Sequence, residues 1–216
     1  MKNIVCLISG RGSNLEALLR VAREQHWERA LDARVAAVVS NRADARGLEI
    51  AAAHGVQTHV LAHGAFSSRT DFDSALRGVI ECHAPDLVVL AGFLRVLTPE
   101  FTAHFHGRLI NIHPSLLPAF AGLHTHARAL QSGVRVHGTT VHFVTGELDA
   151  GPIIAQSALA VVPGETEPEL AARVLALEHE LLPRCVRWLL EGRVRLAAGQ
   201  VATRDLDPAQ LLRVAA

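Results

Sequence analysis

The stretch Leu109–Pro118, Leu-Ile-Asn-Ile-His-Pro-Ser-Leu-Leu-Pro, holds two side chains whose types and spacing suit chemistry. Alternation at period two turns Asn111 and His113 to one side of an extended strand. Pro114 biases His113 toward extended backbone and makes it a strand end. An amide beside an imidazole can polarise a carbonyl and move a proton, which suggests acyl-type transfer. Asp149, in Glu-Leu-Asp-Ala-Gly-Pro, could complete the set from a later loop. A carboxylate within reach of His113 favours the imidazolium, the form able to donate a proton. Plainer uses exist for each: a hydrogen-bonded buried histidine, an asparagine that ties down a loop, an aspartate in an ordinary turn before glycine. The shared face of Asn111 and His113 weakens the first two.

Gly10-Arg11-Gly12-Ser13-Asn14 interrupts an apolar run and precedes a helical pattern. At such a strand-to-helix junction, exposed backbone N–H groups and the helix dipole favour an anion, and Ser13 and Asn14 add donors or cap the helix. A tight turn with an N-cap fits the same residues. The loop is neither the dinucleotide fingerprint, since Leu15 and Glu16 follow where a third glycine is needed, nor a P-loop, since no Gly-Lys-Ser/Thr occurs. Seven of the 13 histidines (His104, His106, His113, His124, His126, His137, His142) fall within one short window. His124-Thr125-His126 has the spacing of two ligands on one face of an extended segment and could bind zinc with His113. No cysteine or obvious carboxylate accompanies the pair, so the expected metal content is none.

These groups need a scaffold, and 216 residues, half of them hydrophobic, can bury a sizeable core. Lys plus Arg and Asp plus Glu both total 21, so no net field gathers nucleic acid or an anionic membrane. The chain enters a strand pattern at once, without a signal segment, and lacks an apolar run of about 18 residues. Cys6, Cys82 and Cys185 are odd in number and widely spaced, which fits reduced thiols and a cytoplasmic location.

Buried-strand patterns cover Asn3–Ser9 and Ala33–Ser40, and further strands Thr58–Leu61, Leu87–Ala91 and Leu109–His113, separated by helical patterns over about 15–25, 45–53 and 70–83 and a short helix from Thr98-Pro99. This alternation predicts an α/β fold with a wound, mostly parallel sheet and right-handed crossovers. After Pro114 come an irregular loop, a short helix over 127–131 and two strands, Val136–Val144 and Ile153–Val161, around the turn 145–152. They predict an antiparallel extension in the C-terminal half. Glu167–Leu190 reads as an amphipathic helix that Pro183 should kink or interrupt. From Gly192 onward, Val194-Arg195-Leu196 looks strand-like and the rest specifies little. Without a linker or repeat, one domain is expected.

The blocks Leu-Ile-Ser-Gly-Arg-Gly-Ser-Asn-Leu, Val-Ser-Asn-Arg-Ala-Asp-Ala-Arg-Gly-Leu, Leu-Ala-Gly-Phe-Leu-Arg-Val-Leu, Asn-Ile-His-Pro-Ser-Leu-Leu-Pro, Gly-Leu-His-Thr-His and His-Gly-Thr-Thr-Val-His-Phe-Val occur in this order. Together they closely resemble the folate-dependent phosphoribosylglycinamide formyltransferase family, from Ile4 to about Pro183. The resemblance implies a Rossmann-like formyltransferase fold, with a nucleotide-binding half to about residue 113, a folate-binding half over about 114–190, and a tail. It implies transfer of formyl from 10-formyltetrahydrofolate, as cosubstrate, to the amine of 5'-phosphoribosylglycinamide. Asn111, His113 and Asp149 would be catalytic. Gly12, Ser13, Asn14 and Glu178 would bind the ribonucleotide. Arg69, Leu94, Arg95, Val96, Leu97, Thr145, Gly146, Glu147 and Leu148, with Asn111 and Asp149, would bind the folate. The histidines of Gly-Leu-His-Thr-His would belong to a structured loop. Ala119 and Ala121 stand where relatives often carry Lys and Pro, and Gly146 where an acid is frequent. Partners would be small molecules, with no nucleic acid or membrane, and the chain a monomer or weak homodimer. The rivals are another 10-formyltetrahydrofolate-dependent formyltransferase, such as one acting on initiator tRNA, a formyltetrahydrofolate hydrolase, and a non-catalytic nucleotide-binding module. Zero net charge disfavours the tRNA enzyme.

Overall fold

The computed structural model describes residues 1–215, which form two compact units, Met1–Asn111 and a second beginning at Ile112. In the first, β1 (Lys2–Ile8), β2 (Ala33–Ser40), β3 (Gln57–Val60), β4 (Leu87–Leu90) and the start of β5 (Leu109–His113) form parallel pairs in the order β5-β4-β1-β2-β3. The apolar run of β1 has the expected cause: Ile4 to Ile8 are all completely buried, as befits a central parallel strand. Around the sheet run α1 (Ser13–Glu24), α2 (Trp27–Ala30), α3 (Arg46–Ala53), α4 (Arg69–Glu81) and α5 (Pro99–His104). The short α2, which the sequence reading missed, buries Trp27. Local chemistry sets the helix starts: Ser68 accepts from the Asp71 N–H, and Thr98 from the Phe101 N–H with Pro99 next in line.

Strand order reverses at β1, since the chain moves to β2 and β3 on one side and then to β4 and β5 on the other. The loops leaving β1 and β4 therefore diverge and open a crevice at the carboxyl ends of the strands. Its base is tied by Ser9, whose N–H donates to the Gly92 carbonyl at 3.0 Å and whose hydroxyl accepts from the Leu94 N–H at 2.8 Å.

In the second unit, α6 (Thr125–Gln131) leads to β6 (Val136–Phe143) and β7 (Ile153–Ala160), an antiparallel pair that matches the predicted extension. The helix α7 (Glu167–Leu190) starts at a Thr166/Glu169 capping box and continues unbroken through Pro183. This corrects the expected interruption. Leu170, Val174, Leu181, Cys185 and Val186, on both sides of the proline, are fully buried. At about 1.5–3 kcal/mol for each large apolar side chain, their burial outweighs the roughly 3 kcal/mol that proline costs a helix. The tail is also more ordered than expected. β8 (Val194–Ala197) and β9 (Gln200–Thr203) form a hairpin, and α8 (Pro208–Leu211) leads to β10 (Leu212–Val214), which pairs parallel with β7. Ala216 lies outside the described residues. The fold is thus a mostly parallel α/β sheet with an antiparallel part, as the alternation of patterns predicts.

All three cysteines are free; burial pushes the Cys6 and Cys185 thiols up to about 12, and Cys82 is exposed. No helix among the described residues is long and apolar enough to cross a membrane.

Candidate active site

The last residue of β5 is His113, and its ring lies between two oxygens of the second unit. Nδ1 is 3.3 Å from Asp149 Oδ2, and Nε2 is 3.1 Å from the Phe120 carbonyl. A carbonyl oxygen only accepts, so Nε2 donates its N–H to Phe120, and the ring turns its other nitrogen to the carboxylate. The two side chains of the pair are 7% and 9% exposed, so solvent screens their attraction little.

Asp149 reaches this position from a backbone in the left-handed region, with φ 51°, which aspartate tolerates better than most residues. Its Oδ2 also accepts from the Gly122 N–H at 2.8 Å. Behind it stands His142, with Nε2 3.8 Å from Asp149 Oδ1 and Nδ1 donating to the Phe143 carbonyl at 2.8 Å. Burial pushes His142 down from its ordinary value. Burial, and then the neighbouring His126, push His137 down to about 4. These two histidines are accordingly neutral near pH 7.

Two threonines of β6 fix the chain as it leaves β5. Thr139 Oγ1 donates to the His113 carbonyl at 2.9 Å, and Thr140 Oγ1 donates to the Ser115 carbonyl at 2.7 Å. Thr140 Oγ1 also accepts from the Leu117 N–H at 3.1 Å and from Gln156 Nε2 at 2.9 Å. Sequence reasoning missed Thr139, Thr140 and His142 as site residues, although all three sit in the quoted block His137–Val144. The backbone groups of Phe120 and Gly122 carried no signal, because any residue supplies a carbonyl.

The histidine pair His124 and His126 does not share a face of an extended segment. His124 is the left-handed residue before α6, while His126, inside the helix, turns Nδ1 to His137 Nε2 at 3.2 Å. Among the described residues no group of three or more His, Cys, Asp or Glu side chains could hold a metal ion.

In the first unit, the loop after β1 lines a cavity of about 490 Å³ together with Arg42, Arg46 and the residues after β4. Gly12, at φ 76°, is the residue before α1, and Ser13 and Asn14 open that helix. The N–H groups of a helix's first turn have no partners within the helix, and its dipole is positive at that end.

The remaining expected residues are dispersed. Asn111 is half-buried in β5, level with Leu90 of β4. Arg69 is exposed at the first position of α4. Leu94 and Val96 are exposed, Leu97 is buried, and the half-buried Arg95 lays its guanidinium over Phe72 at 4.6 Å. Thr145 is half-buried, and Gly146, Glu147 and Leu148 are exposed. Glu178, which helix position alone would make a surface charge, is buried on α7 at 7% exposure.

An α/β sheet with a glycine turn at its switch point and a buried histidine–aspartate pair at a strand end suits a group-transfer enzyme. The chain belongs to the formyl transferase family, which residues 2–186 match. Over 194 residues it is 49% identical to the phosphoribosylglycinamide formyltransferase of Escherichia coli (strain K12), an overlap covering 90% of each chain. It is 42% identical over 193 residues to the human trifunctional purine biosynthetic protein adenosine-3, covering 89% of this chain and 19% of that one. The solved phosphoribosylglycinamide formyltransferase of Coxiella burnetii superimposes with a TM-score of 0.89 at 44% identity, covering 99% of this chain and 98% of that one.

Proposed function

We propose that this chain transfers the formyl group of 10-formyltetrahydrofolate to the amine of 5'-phosphoribosylglycinamide, giving formylglycinamide ribonucleotide and tetrahydrofolate in purine synthesis. Family membership supports the formyl chemistry, and the observation that carries the mechanism is the buried contact between His113 and Asp149. The amine nitrogen bonds to the formyl carbon, and the bond from that carbon to the folate nitrogen breaks. The amine gives up a proton and the folate nitrogen gains one. While the carbon is tetrahedral, negative charge sits on the formyl oxygen, where the Asn111 amide and the His113 imidazolium stabilise it. Asp149 keeps His113 charged, and His113 supplies the proton directly or through water.

In this reading Gly12, Ser13 and Asn14 hold the phosphate and Glu178 the ribose. Arg69, the segment Leu94–Leu97 and the segment Thr145–Asp149 hold the folate. The reaction calls for no metal, and the chain works as one cytoplasmic formyltransferase domain, a monomer or a weak homodimer.

The deciding experiment mixes purified protein with 10-formyltetrahydrofolate and follows folate absorbance with and without the ribonucleotide. Turnover that requires the amine is the expected result. Turnover without it makes the protein a hydrolase, and no turnover in either arm removes the proposal.

A further inference from the structure

The block Val39–Leu48 carries family resemblance yet contributes nothing to the chemistry above. Ser40 and Arg42 explain its beginning: the Ser40 hydroxyl donates to the Arg42 carbonyl at 2.8 Å and accepts from the Arg42 N–H at 3.1 Å, closing the turn after β2. Gly47 is different. It occupies the second position of α3 in ordinary right-handed backbone, where glycine is a poor helix former and alanine the best. Conformational freedom is therefore not what this position requires.

Space is. A Cβ on Gly47 would lie 2.5 Å from Ile8 Cδ1, 3.1 Å from Gly12 Cα and 3.5 Å from the Gly10 carbonyl oxygen. Reciprocally, a Cβ on Gly12 would lie 2.5 Å from Gly47 Cα. The Gly47 N–H donates to the Gly10 carbonyl at 3.1 Å. Helix α3 thus rests flush against the turn after β1 and engages its Gly10 carbonyl. A side chain on Gly12 would force the two backbones apart, and one on Gly47 would push on the Gly12 backbone by a few tenths of an ångström.

We infer that Gly47 is a positioning residue for phosphate binding: its bare backbone, packed on Gly12 and bonded to Gly10, holds the turn after β1 in the shape that presents its N–H groups to the phosphate. The inference rests on the reading of Gly12–Asn14 as the phosphate site. Alanine at position 47 pushes on two things of different consequence. Ile8 Cδ1 is the end of a side chain and can rotate away, whereas Gly12 Cα is the loop itself.

Three variants separate the two: G47A, I8V, and the double variant I8V/G47A, in which the Ile8 methyl is gone but the approach to Gly12 remains. Ribose 5-phosphate serves as the phosphate probe, competing with the ribonucleotide. In G47A we expect KM for the ribonucleotide and the inhibition constant of ribose 5-phosphate to rise about tenfold, the scale of mild overpacking. KM for the folate and kcat at saturation stay within about twofold. I8V/G47A recovers thermal stability and keeps the weakened phosphate affinity, and it replaces G47A in these measurements if the single variant is insoluble. Wild-type phosphate affinity in I8V/G47A, or in G47A itself, overturns the inference while leaving the phosphate site intact. Absence of ribose 5-phosphate inhibition in the unmodified enzyme overturns the phosphate site and the inference together.

Discussion

His113 Nε2 lies 3.1 Å from the carbonyl oxygen of Phe120, so the ring nitrogen not turned to Asp149 is occupied by the backbone of the loop that follows β5. In the proposed reaction, a formyl oxygen that accepts a hydrogen bond from His113 Nε2 has to replace that carbonyl. The two nitrogens are therefore unequal: Nδ1 faces the Asp149 carboxylate and Nε2 the Phe120 carbonyl, and the proposed mechanism gives only Nε2 to the substrate.

The first prediction concerns that division. In Asp149→Asn the group facing Nδ1 keeps its shape and loses its charge, so the imidazolium is no longer favoured as the formyl oxygen becomes negative. Turnover should fall by about 10²- to 10³-fold, the usual loss for one stabilising donor, with both KM values changed less than about fivefold. Steady-state kinetics on the variant provide the check. Turnover near the wild-type value would take Asp149 out of the mechanism.

Thr140 supports the same strand end from below. It is completely buried, and its hydroxyl serves the Ser115 carbonyl, the Leu117 N–H and the Gln156 amide. Thr140→Val preserves shape but deprives these groups of their shared partner. Unsatisfied buried groups of this kind cost about 1–3 kcal/mol each, and with partial relaxation the total should be about 2–4 kcal/mol. Urea denaturation measures it. A loss below about 1 kcal/mol would show that the other groups find new partners and that Thr140 is not the hub of the loop.

Acid should destabilise the fold before the carboxylates titrate. His137 is pushed down to about 4 in the folded chain, by burial first and by His126 second. An unfolded histidine titrates near 6.5, so between these values the unfolded chain binds the extra proton and stability rises with pH. His137 therefore contributes fully above about pH 6.5 and loses its contribution as pH falls toward 4, by about 1–2 kcal/mol between pH 7 and pH 5. His142, also pushed down by burial, acts in the same direction. Denaturation midpoints at pH 7, 6 and 5 should decline in the wild type and decline less in His137→Gln. Equal slopes in the two proteins would assign the effect elsewhere.

Much of this architecture was legible because it is locally encoded. The buried run of β1, the span Leu109–His113, and the Thr98-Pro99 helix start each follow from neighbours within a few residues, by side-chain periodicity or capping. Reading failed where distant burial decided the outcome. Pro183 does not interrupt α7 because the apolar side chains on both sides of it are buried, and Glu178 is buried although its helical position looks superficial. The short β10 forms because β7 offers it an edge to pair with, which no feature of Leu212–Val214 announces.

The sequence by itself determined that an amide and an imidazole share one face at the end of a strand, and that a glycine turn joins a buried strand to a helix. Only the tertiary structure decided that Asp149, from a turn after β6, is the carboxylate facing His113, and that Gly47 is the residue lying against Gly12. The physical reason is range. Periodicity, proline and caps act through bonds and adjacent turns, whereas a contact between segments far apart in the chain depends on how the intervening strands and helices pack.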